Sequence, residues 1–342
     1  MLDSPEKPFR FFVLTCRDSA TDFRLPLVTA LRRDYETYYI WLKRQPVLTY
    51  PDGHTALISF VELLSFLRRF KPDGKINVFF NTTNTSFPFI TAFLRLIAPR
   101  GIWCLDMHDD LRYHYTGLAR LRTVIGIRVM QWFSDLIVHA APTLQELFPA
   151  SQHLGNASHI SPMSHEGIDR SAVLILASLD DRFDFDLMEQ VAEACPANIF
   201  HIHGQVYDAH SATLAQVEAL TANHGNIQYH GAYTSDDLPC ILGRYAVTFA
   251  PYHTGIELTR YIDPLRYYHC LNAGLKVITT AIPQALLMQK SLTLIDSAEE
   301  CAHALKDADA AAKPYACITW EQRVDKLIGI LRALPKTIRL AA

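Results

Sequence analysis

The chain has 342 residues, of which 20% are charged and 49% are hydrophobic. This composition excludes a disordered, fibrous or collagen-like chain, and at roughly 150 residues per domain the length predicts two domains. The net charge of -3 excludes a polycation that binds nucleic acid through its whole surface. Residues 1–150 hold 18 Lys and Arg against 14 Asp and Glu, whereas residues 151–342 hold 14 against 21. The basic first half favours an anionic partner such as phospholipid, although chance asymmetry between two domains is an equal alternative.

Cysteine usage and hydropathy bear on the compartment. The seven cysteines are odd in number and show no C-x-x-C spacing, which indicates a reducing compartment rather than disulfides or a zinc site. The start of the chain lacks the basic run and apolar core of a signal peptide, and the two longest uncharged runs, 76–94 and 147–165, are too polar to span a membrane. We therefore expect a cytoplasmic protein, at most peripheral on the inner face of the plasma membrane.

Short apolar runs alternate with helical patterns through the first half of the chain. Strands are predicted over 9–14, 37–42, 76–80, 101–105 and 136–139. Helices are predicted over 25–33, 54–70, 87–97 and 118–133. Such alternation is typical of a parallel sheet with helices on both faces. The helices 54–70 and 118–133 are strongly apolar with arginines at their edges, which suits either a membrane surface or core packing.

The second half repeats this alternation. Strands are predicted over 171–177, 199–203, 227–230, 246–250 and 276–279. Helices are predicted over 184–195, 214–224, 235–242 with Ser235 as cap, 263–272, 283–288, 298–305 and 320–334. The segment 154–170, rich in Ser, Gly, Pro and His, is the natural linker. The prediction is α/β, with two doubly wound parallel-sheet domains over 1–154 and 155–342.

The sequence contains no Gly-x-Gly-x-x-Gly turn and no Gly-Lys-Ser/Thr phosphate loop. Their absence is evidence against a redox Rossmann enzyme and against a P-loop nucleotidase. In doubly wound domains ligands bind beyond the carboxyl ends of the strands, so chemistry is expected in the loops after strands. The histidines show no metal-binding spacing, and His201 and His203 share one strand face, where a buried hydrogen-bonded pair is the more common arrangement.

The segment 257–280 indicates an anion site. Asp263 is predicted to cap a helix that starts at Pro264, so that the free N–H groups of Leu265 and Arg266 form a shared site for phosphate. The Arg266 guanidinium adds a fixed positive charge. An ordinary capped helix in a parallel sheet is the alternative. Two polar residues just upstream are further candidates for the site, Thr259 and Arg260.

This segment resembles the nucleotide-sugar motif of bacterial GT-B glycosyltransferases of group 1, or family 4. The matching residues are Pro264-Leu265-Arg266, Leu271, Gly274 and Val277-Ile278, with His269 at the usual acidic position. Further similar stretches follow in the family's order, at 177–184, 200–204, 226–231 and 247–251, and the resemblance covers about residues 100–334. Non-acidic residues at Tyr261 and His269 depart from the E-x7-E pattern of family 4 and are closer to the glucuronosyltransferase of xanthan assembly.

The resemblance implies two facing Rossmann-like domains with a cleft between them. The first domain would bind the acceptor and the second a nucleotide diphosphate-sugar, with the closing helix, about 320–334, crossing back toward the first domain. Leu265 and Arg266 would bind the diphosphate, and His269 the ribose. The residues implied around the base and the sugar are Gly231, Tyr233, Thr254, Gly255 and Glu257. No metal and no cofactor other than this co-substrate is expected.

Carboxylates after a first-half strand are the catalytic candidates. The stretch Asp106-Met107-His108-Asp109-Asp110 resembles a Y-D-x-x-D-D stretch of related bacterial enzymes. Inverting transfer needs a base for the acceptor hydroxyl, and Asp109, crowded by two carboxylates, is expected to have a raised pKa. A solvated loop with a helix cap, or a metal site, is the alternative. Asp110 stands beside it, and Asp18 is the second candidate.

These observations predict an inverting hexosyl- or glycuronosyltransferase of bacterial polysaccharide assembly. It would move a sugar from a UDP-linked donor to a glycan or lipid-linked acceptor, with a possible contact to anionic membrane and none to nucleic acid. A sugar-nucleotide epimerase of the same fold, or a non-catalytic partner that binds nucleotide-sugar or glycan, are the alternatives.

Overall fold

In a computed structural model the chain forms two compact units. The structure describes residues 8–15, 24–41, 48–49, 55–56, 60–68, 73–82, 88–97, 100–169, 171–206, 211–307 and 315–335. Unit 1 contains the chain up to Gly155 together with the chain from Trp320 onward. Unit 2 is Asn156–Thr319.

Unit 1 is built on a six-stranded parallel sheet. Its strands are β1 (Phe9–Thr15), β2 (Glu36–Trp41), β5 (Ile76–Asn81), β6 (Ile102–Met107), β7 (Leu136–His139) and β8 (Gln152–His153). They lie in the order β2-β1-β5-β6-β7-β8. The Phe12 ring stacks between those of Tyr38 and Phe79, with centroid distances of 5.4 and 5.0 Å. Every residue of β1 is buried, which explains why the strand is apolar apart from Arg10 and Thr15.

The described residues of unit 1 form five α-helices. They are α1 (Leu25–Asp34), α2 (Phe60–Leu67), α3 (Pro88–Ile97), α4 (Gly117–Trp132) and α12 (Trp320–Ala333). Helix α1 packs against α12, and α3 packs against α4. The chain's last described helix therefore completes the layer beside its first one.

One predicted helix of unit 1 is shorter than expected. The pattern over 54–70 predicts a single helix, but the structure has an antiparallel pair, β3 (Leu48–Thr49) with β4 (Thr55–Ala56), before α2 begins at Phe60. The two strands flank Pro51-Asp52-Gly53 in the sequence, a combination typical of turns. The helical periodicity of the sequence did not predict that the helix starts only after this strand pair.

Unit 2 is built on a second six-stranded parallel sheet. Its strands are β9 (Ala172–Leu179), β10 (Ile199–Val206), β11 (Ile227–Tyr229), β12 (Val247–Ala250), β13 (Lys276–Thr280) and β14 (Thr293–Ile295), in the order β11-β10-β9-β12-β13-β14. Val173 and Ile175 of β9 belong to one buried apolar cluster, and Leu174 and Leu176 to another. Because side chains alternate along a strand, each cluster covers one face of the sheet.

The helices of unit 2 flank this sheet. They are α5 (Phe185–Ala194), α6 (Ser211–Asn223), α7 (Leu238–Leu242), α8 (Glu257–Arg260), α9 (Leu265–Ala273), α10 (Pro283–Leu287) and α11 (Ala298–Lys306). Side-chain caps fix two of them: Asp184 accepts the Leu187 N–H at 2.9 Å, and Ser297 accepts the Glu300 N–H at 3.2 Å. Across the described parts of both units, no helix is long and apolar enough to cross a membrane.

Two predicted caps are wrong. Helix α9 begins at Leu265 with Pro264 as N-cap residue, and no side chain caps it. Asp263 instead accepts the Asn156 N–H at 2.9 Å and the Tyr268 hydroxyl, which draws its carboxylate away from the helix end. Helix α7 likewise begins at Leu238 and not near Ser235.

Candidate functional site

The loops after β9 and β12 of unit 2 are bonded to each other. The Asp184 N–H donates to the Pro251 carbonyl at 3.2 Å, and the His253 N–H donates to the Arg182 carbonyl at 3.0 Å. Thr280, at the end of β13, donates its hydroxyl to the Tyr252 carbonyl at 2.8 Å and accepts the Tyr252 N–H at 3.0 Å. Three strand ends thus converge on one rigid edge, where α/β sheets bind ligands.

A charged pair stabilises the loop after β9. The Arg182 guanidinium contacts Asp180 through Nε–Oδ1 and Nη2–Oδ2 distances of 2.9 and 2.5 Å, and its backbone N–H reaches Oδ1 at 3.0 Å. Burial by itself would raise the pKa of Asp180, but the hydrogen bonds and charge of Arg182, with the charge of Arg266, lower it. Asp180 is therefore ionised and already satisfied.

Arg266 lies in the first turn of α9, with its guanidinium carbon 5.1 Å from the centre of the Tyr252 ring. Within the described residues of unit 2, it has no carboxylate at ion-pair distance. Tyr252 is buried, and burial raises its pKa although the charges of Arg266 and Arg182 oppose that rise. The tyrosine ring thus orients a cation that keeps its hydrogen-bonding capacity for a ligand.

The N-terminus of α9 adds backbone donors beside this cation. Since no side chain caps the helix, the N–H groups of Leu265 and Arg266, which have no carbonyl within the helix to bond, are left for a ligand. An uncapped helix N-terminus with an arginine in its first turn suits a phosphate or diphosphate group.

The loop before α9 contains the next predicted residues. Thr254 and Gly255 are exposed, and Gly255 has a positive φ of 80° that favours glycine. Thr259 is buried, and its Oγ1 lies 2.7 Å from the His253 carbonyl, so its hydroxyl is used to hold the loop. Two exposed residues form an ion pair at 3.8 Å, Glu257 and Arg260.

His269 is buried in the middle of α9. Its Nδ1 lies 2.7 Å from Ser158 Oγ, and its ring centre lies 5.3 Å from that of His159. Burial, with a smaller contribution from His159, lowers its pKa to about 3, so the ring is neutral. The ribose contact implied for His269 stays a prediction.

The loop after β11 approaches β10 closely. Gly231 has a φ of 79°, and its carbonyl accepts the Gly204 N–H at 2.8 Å. A Cβ on Gly204 would lie 1.8 Å from the Ala177 carbonyl oxygen, so only glycine fits there. Tyr233 is half-buried against the cluster on the α9 face. The positions implied near a base are thus adjacent to a tightly packed strand end.

Three histidines stack beside that loop. His201 Nδ1 lies 2.9 Å from His230 Nε2, and the His203 ring lies 4.5 Å from the His230 ring. Tyr245 borders the stack, with its hydroxyl 3.5 Å from His203 Nε2. His201 and His203 lie on the same face of β10, as predicted. Their contacts with His230 were not predicted. No group of three or more His, Cys, Asp or Glu among the described residues has a geometry that fits a metal ion.

A cavity of about 370 Å³ opens at the same strand ends. It is lined by Asp184, Asp186, Tyr252, His253, Thr254 and Thr280, among others. A larger cavity of about 640 Å³ lies between β14 and α11 and reaches the start of β13. Lys276 in that larger cavity donates to the carbonyls of Ala304 and Asp307, so its ammonium group serves the fold. The smaller cavity is therefore the one lined by the loops that follow β9 and β12.

The predicted carboxylates of unit 1 differ in environment. Asp106 is buried in β6 and bound by Arg24 through Nε–Oδ2 and Nη2–Oδ1 distances of 2.8 and 3.0 Å. Asp110 accepts the Arg112 backbone N–H at 3.1 Å and its guanidinium at 2.7 and 2.5 Å, which caps the 3-10 helix Leu111–His114. Each neighbouring carboxylate is thus held by an arginine, and the raised pKa expected for Asp109 stays a prediction.

Asp109 itself is half-buried and lies two residues after the end of β6. His108 was not predicted; its Nδ1 lies 3.0 Å from Arg24 Nη2, and its Nε2 lies 3.5 Å from the Thr82 carbonyl. Its position directly before Asp109 is the sequence signal that could have drawn attention to it. Asp18, the second predicted base, lies outside the described residues.

Solved structures share the fold of this chain, although no protein-family model and no curated protein matches it by sequence. Sucrose-phosphate synthase from Thermosynechococcus elongatus matches with a TM-score of 0.67 at 12% identity, over 95% of this chain and 99% of that one. An alpha-glucosyltransferase in complex with UDP matches with a TM-score of 0.59 at 13% identity, over 95% and 96%. TarM from S. aureus matches with a TM-score of 0.56 at 12% identity, over 82% and 60%. The chain has the GT-B glycosyltransferase fold, and the predicted fold class is confirmed.

Proposed function

We propose that this chain of GT-B fold is a glycosyltransferase that moves a sugar from a nucleotide diphosphate-sugar to an acceptor hydroxyl. The observation that supports this most is the anion site of unit 2, where Arg266 and the uncapped N-terminus of α9 lie together at the carboxyl edge of the sheet. Fold alone does not imply function, so the proposal depends on these groups.

The diphosphate contacts the N–H groups of Leu265 and Arg266 and the Arg266 guanidinium, while Pro264 sets the entry of the helix. The sugar lies against the loop of Thr254, Gly255 and Glu257, whose shape the Thr259 hydroxyl maintains and whose end Arg260 closes. The nucleobase of the donor lies near Gly231 and Tyr233. His269 forms a hydrogen bond with the ribose as a neutral ring. We propose UDP as the nucleotide, because one structure of the same fold is a complex with UDP.

The reaction joins the acceptor oxygen to the anomeric carbon and breaks the bond between that carbon and the diphosphate oxygen. The negative charge that develops on the leaving diphosphate is stabilised by the α9 N-terminus and Arg266. Asp109 takes the proton of the acceptor hydroxyl. Among the three carboxylates of its stretch, Asp109 is proposed as base because it is half-buried and lies just beyond the carboxyl end of β6, where α/β sheets place their chemistry. A base on the acceptor side gives inversion.

The acceptor is proposed to be a glycan or a lipid-linked glycan of bacterial polysaccharide assembly. The basic balance of residues 1–150 favours an acceptor that bears phosphate. The transferred sugar is a hexosyl or glycuronosyl group, as the resemblance to the xanthan-assembly enzyme implies.

Thermal-shift titration with UDP, GDP, ADP and their sugars tests the donor site. A ligand that binds only the folded protein stabilises it by about 2.7 kcal/mol at a hundredfold excess over Kd. We expect a clear rise in Tm with one nucleotide, UDP, and loss of that rise in Arg266→Ala. The matched control is Arg332→Ala, which removes an exposed arginine from α12 and is expected to leave the shift intact.

Product analysis separates the proposed activity from its alternatives. Asp109→Asn is expected to keep the UDP-induced shift and to lose transfer. Conversion of the donor into another UDP-sugar without an acceptor product identifies an epimerase. Binding without any turnover that depends on Asp109 identifies a non-catalytic partner. A chain that no nucleotide stabilises contradicts the donor site itself.

A further inference from the structure

Helix α4 of unit 1 has an apolar stripe on its solvent side. Leu118, Leu121, Ile125 and Trp132 follow one another at spacings of three, four and seven residues, which places them on one side of a helix. Leu118 is 85% exposed and Trp132 is 82% exposed. We call these four residues the α4 stripe.

The α4 stripe lies opposite the face that packs into unit 1. The buried residues of α4 are Thr123, Gly126, Ile127 and Met130. Two residues along a helix turn by about 200°, so Ile125 and Ile127 point to nearly opposite sides. The helix is therefore apolar on both sides, and the packing of unit 1 leaves one of those sides in water. A contiguous exposed apolar surface of this kind marks an interaction site.

The charges beside the α4 stripe are all positive. Helix α4 contains Arg120, Arg122 and Arg128 and no Asp or Glu. Over residues 88–132 there are six arginines and three aspartates. Of these, Arg112 is paired with Asp110 and Arg95 with Asp135, while Asp106 is paired with Arg24, so the three arginines of α4 supply most of the excess. The excess of positive charge at this face selects an anionic partner.

Aromatic and apolar residues near α4 extend the surface. Trp132 ends the helix and Tyr115, 44% exposed, precedes it; both are residue types that favour the boundary between lipid headgroups and acyl chains. In the adjacent helix α3, Phe93 and Leu96 are also exposed. Arginines at the sides of such a stripe bury their stems and keep their charge at the headgroups.

We propose that α4 docks unit 1 on the surface of an anionic lipid bilayer. The helix, about 24 Å long at 1.5 Å per residue, lies flat, with the α4 stripe among the upper acyl chains and its arginines at the phosphates. The geometry requires no helix that crosses the bilayer. The docking concerns unit 1 alone and does not depend on the proposed transferase activity.

Vesicle co-sedimentation of the full chain, without any nucleotide-sugar, tests the docking. We expect binding to vesicles of phosphatidylcholine with phosphatidylglycerol and little binding to phosphatidylcholine alone. Leu118→Ser with Trp132→Ser is expected to weaken binding about tenfold or more, because apolar area no longer enters the bilayer. Arg122→Gln with Arg128→Gln is expected to weaken it about 30-fold, from about 1 kcal/mol per charge near the surface.

Matched controls change the same residue types elsewhere. Leu214→Ser in α6 and Arg332→Gln in α12 alter exposed side chains and are expected to bind as the wild type does. Circular dichroism of each variant confirms that α4 changes leave the fold intact. High salt is expected to weaken wild-type binding, since the attraction includes screened charges.

Three results would overturn the proposal. Wild-type protein that sediments with neither kind of vesicle removes the bilayer as partner. Equal binding to neutral and anionic vesicles removes the role of the arginines. A concentration-dependent dimer in the absence of vesicles, abolished by Leu118→Ser, would identify a second copy of the chain as the occupant of the α4 stripe.

Discussion

At the scale of single residues, the ion pair between Arg24 and Asp106 is the most enclosed charge interaction described in unit 1. Both side chains are fully buried, and the guanidinium also lies 5.5 Å from the centre of the Trp320 ring. Removal of one partner from a buried pair leaves an uncompensated charge and costs about 3–5 kcal/mol, whereas an exposed pair contributes about 0–1 kcal/mol. The pair thus joins the start of α1, strand β6 and the closing helix α12.

Arg24→Met is expected to lower the free energy of unfolding by about 3–5 kcal/mol, because Asp106 is left charged and buried. Chemical denaturation monitored by circular dichroism measures this loss. Arg33→Met is the control, since Arg33 forms an exposed ion pair with Glu321 on the same two helices and its loss is expected to cost about 1 kcal/mol or less. Equal losses in the two variants would contradict the role given to the buried pair.

The contrast between Arg24 and Arg266 shows which residue roles the sequence can reveal. Arg266 stands two positions after Pro264, at the start of a helix, so local reasoning was enough to predict an anion site there. Arg24 and Asp106 are 82 positions apart, and no local pattern pairs them. The arginine partners of Asp106 and Asp110 were not predicted for the same reason. The electrostatic environment of a loop depends on partners that are distant in the sequence and meet only in the tertiary structure.

At the scale of elements, strand-helix alternation was sufficient to locate most of both sheets. The apolar runs of β1, β5 and β13 are buried on both faces, which gives each of them a clear signal. The two-residue strand β8 and the three-residue β14 were not predicted, whereas the equally short β11 was. The start of α9 was misplaced, since the Asp263 carboxylate accepts the Asn156 N–H and the Tyr268 hydroxyl and does not cap the first turn.

Gly204→Ala is expected to destabilise unit 2 by about 1–3 kcal/mol, because its Cβ would lie 1.8 Å from the Ala177 carbonyl and would force β9 and β10 apart. Thermal unfolding measures the change. Gly225→Ala is the control: no atom lies within 4 Å of the added Cβ, and a shift within about 0.5 kcal/mol is expected. A Gly204→Ala protein as stable as wild type would show that the strands separate without cost.

At the scale of the whole molecule, both units contain histidines whose burial lowers their pKa. The values fall to about 4 for His153 in unit 1, to about 4 for His203 in unit 2 and to about 3 for His269. Each is neutral when folded at neutral pH, whereas in the unfolded chain an ordinary histidine titrates near 6.5. Below that pH the unfolded state takes up protons that the folded state excludes.

We therefore expect stability to fall as the pH falls from about 6.5 toward 3. His269 alone contributes a loss on the order of 1 kcal/mol per pH unit across that window. Denaturation at a series of pH values measures the slope, and His269→Asn is expected to flatten it even where the substitution lowers stability overall. His303→Asn, at an exposed site of α11, is expected to keep the wild-type slope. An unchanged slope in His269→Asn would contradict this origin of acid sensitivity.

The return of α12 to unit 1 makes unit 2 an insertion within the other unit. Unit 2 begins at Asn156 and ends at Thr319, and a backbone bridge pairs Ser158 with Thr319 near those two ends. During synthesis on the ribosome, unit 2 can complete its sheet as soon as α11 has emerged. Unit 1 must wait, with the side of α1 that α12 covers exposed, until Trp320 and Leu331 leave the exit tunnel. The nascent chain thus finishes its inserted part before its first part, and a circular permutant opened between Thr319 and Trp320 would reverse that order.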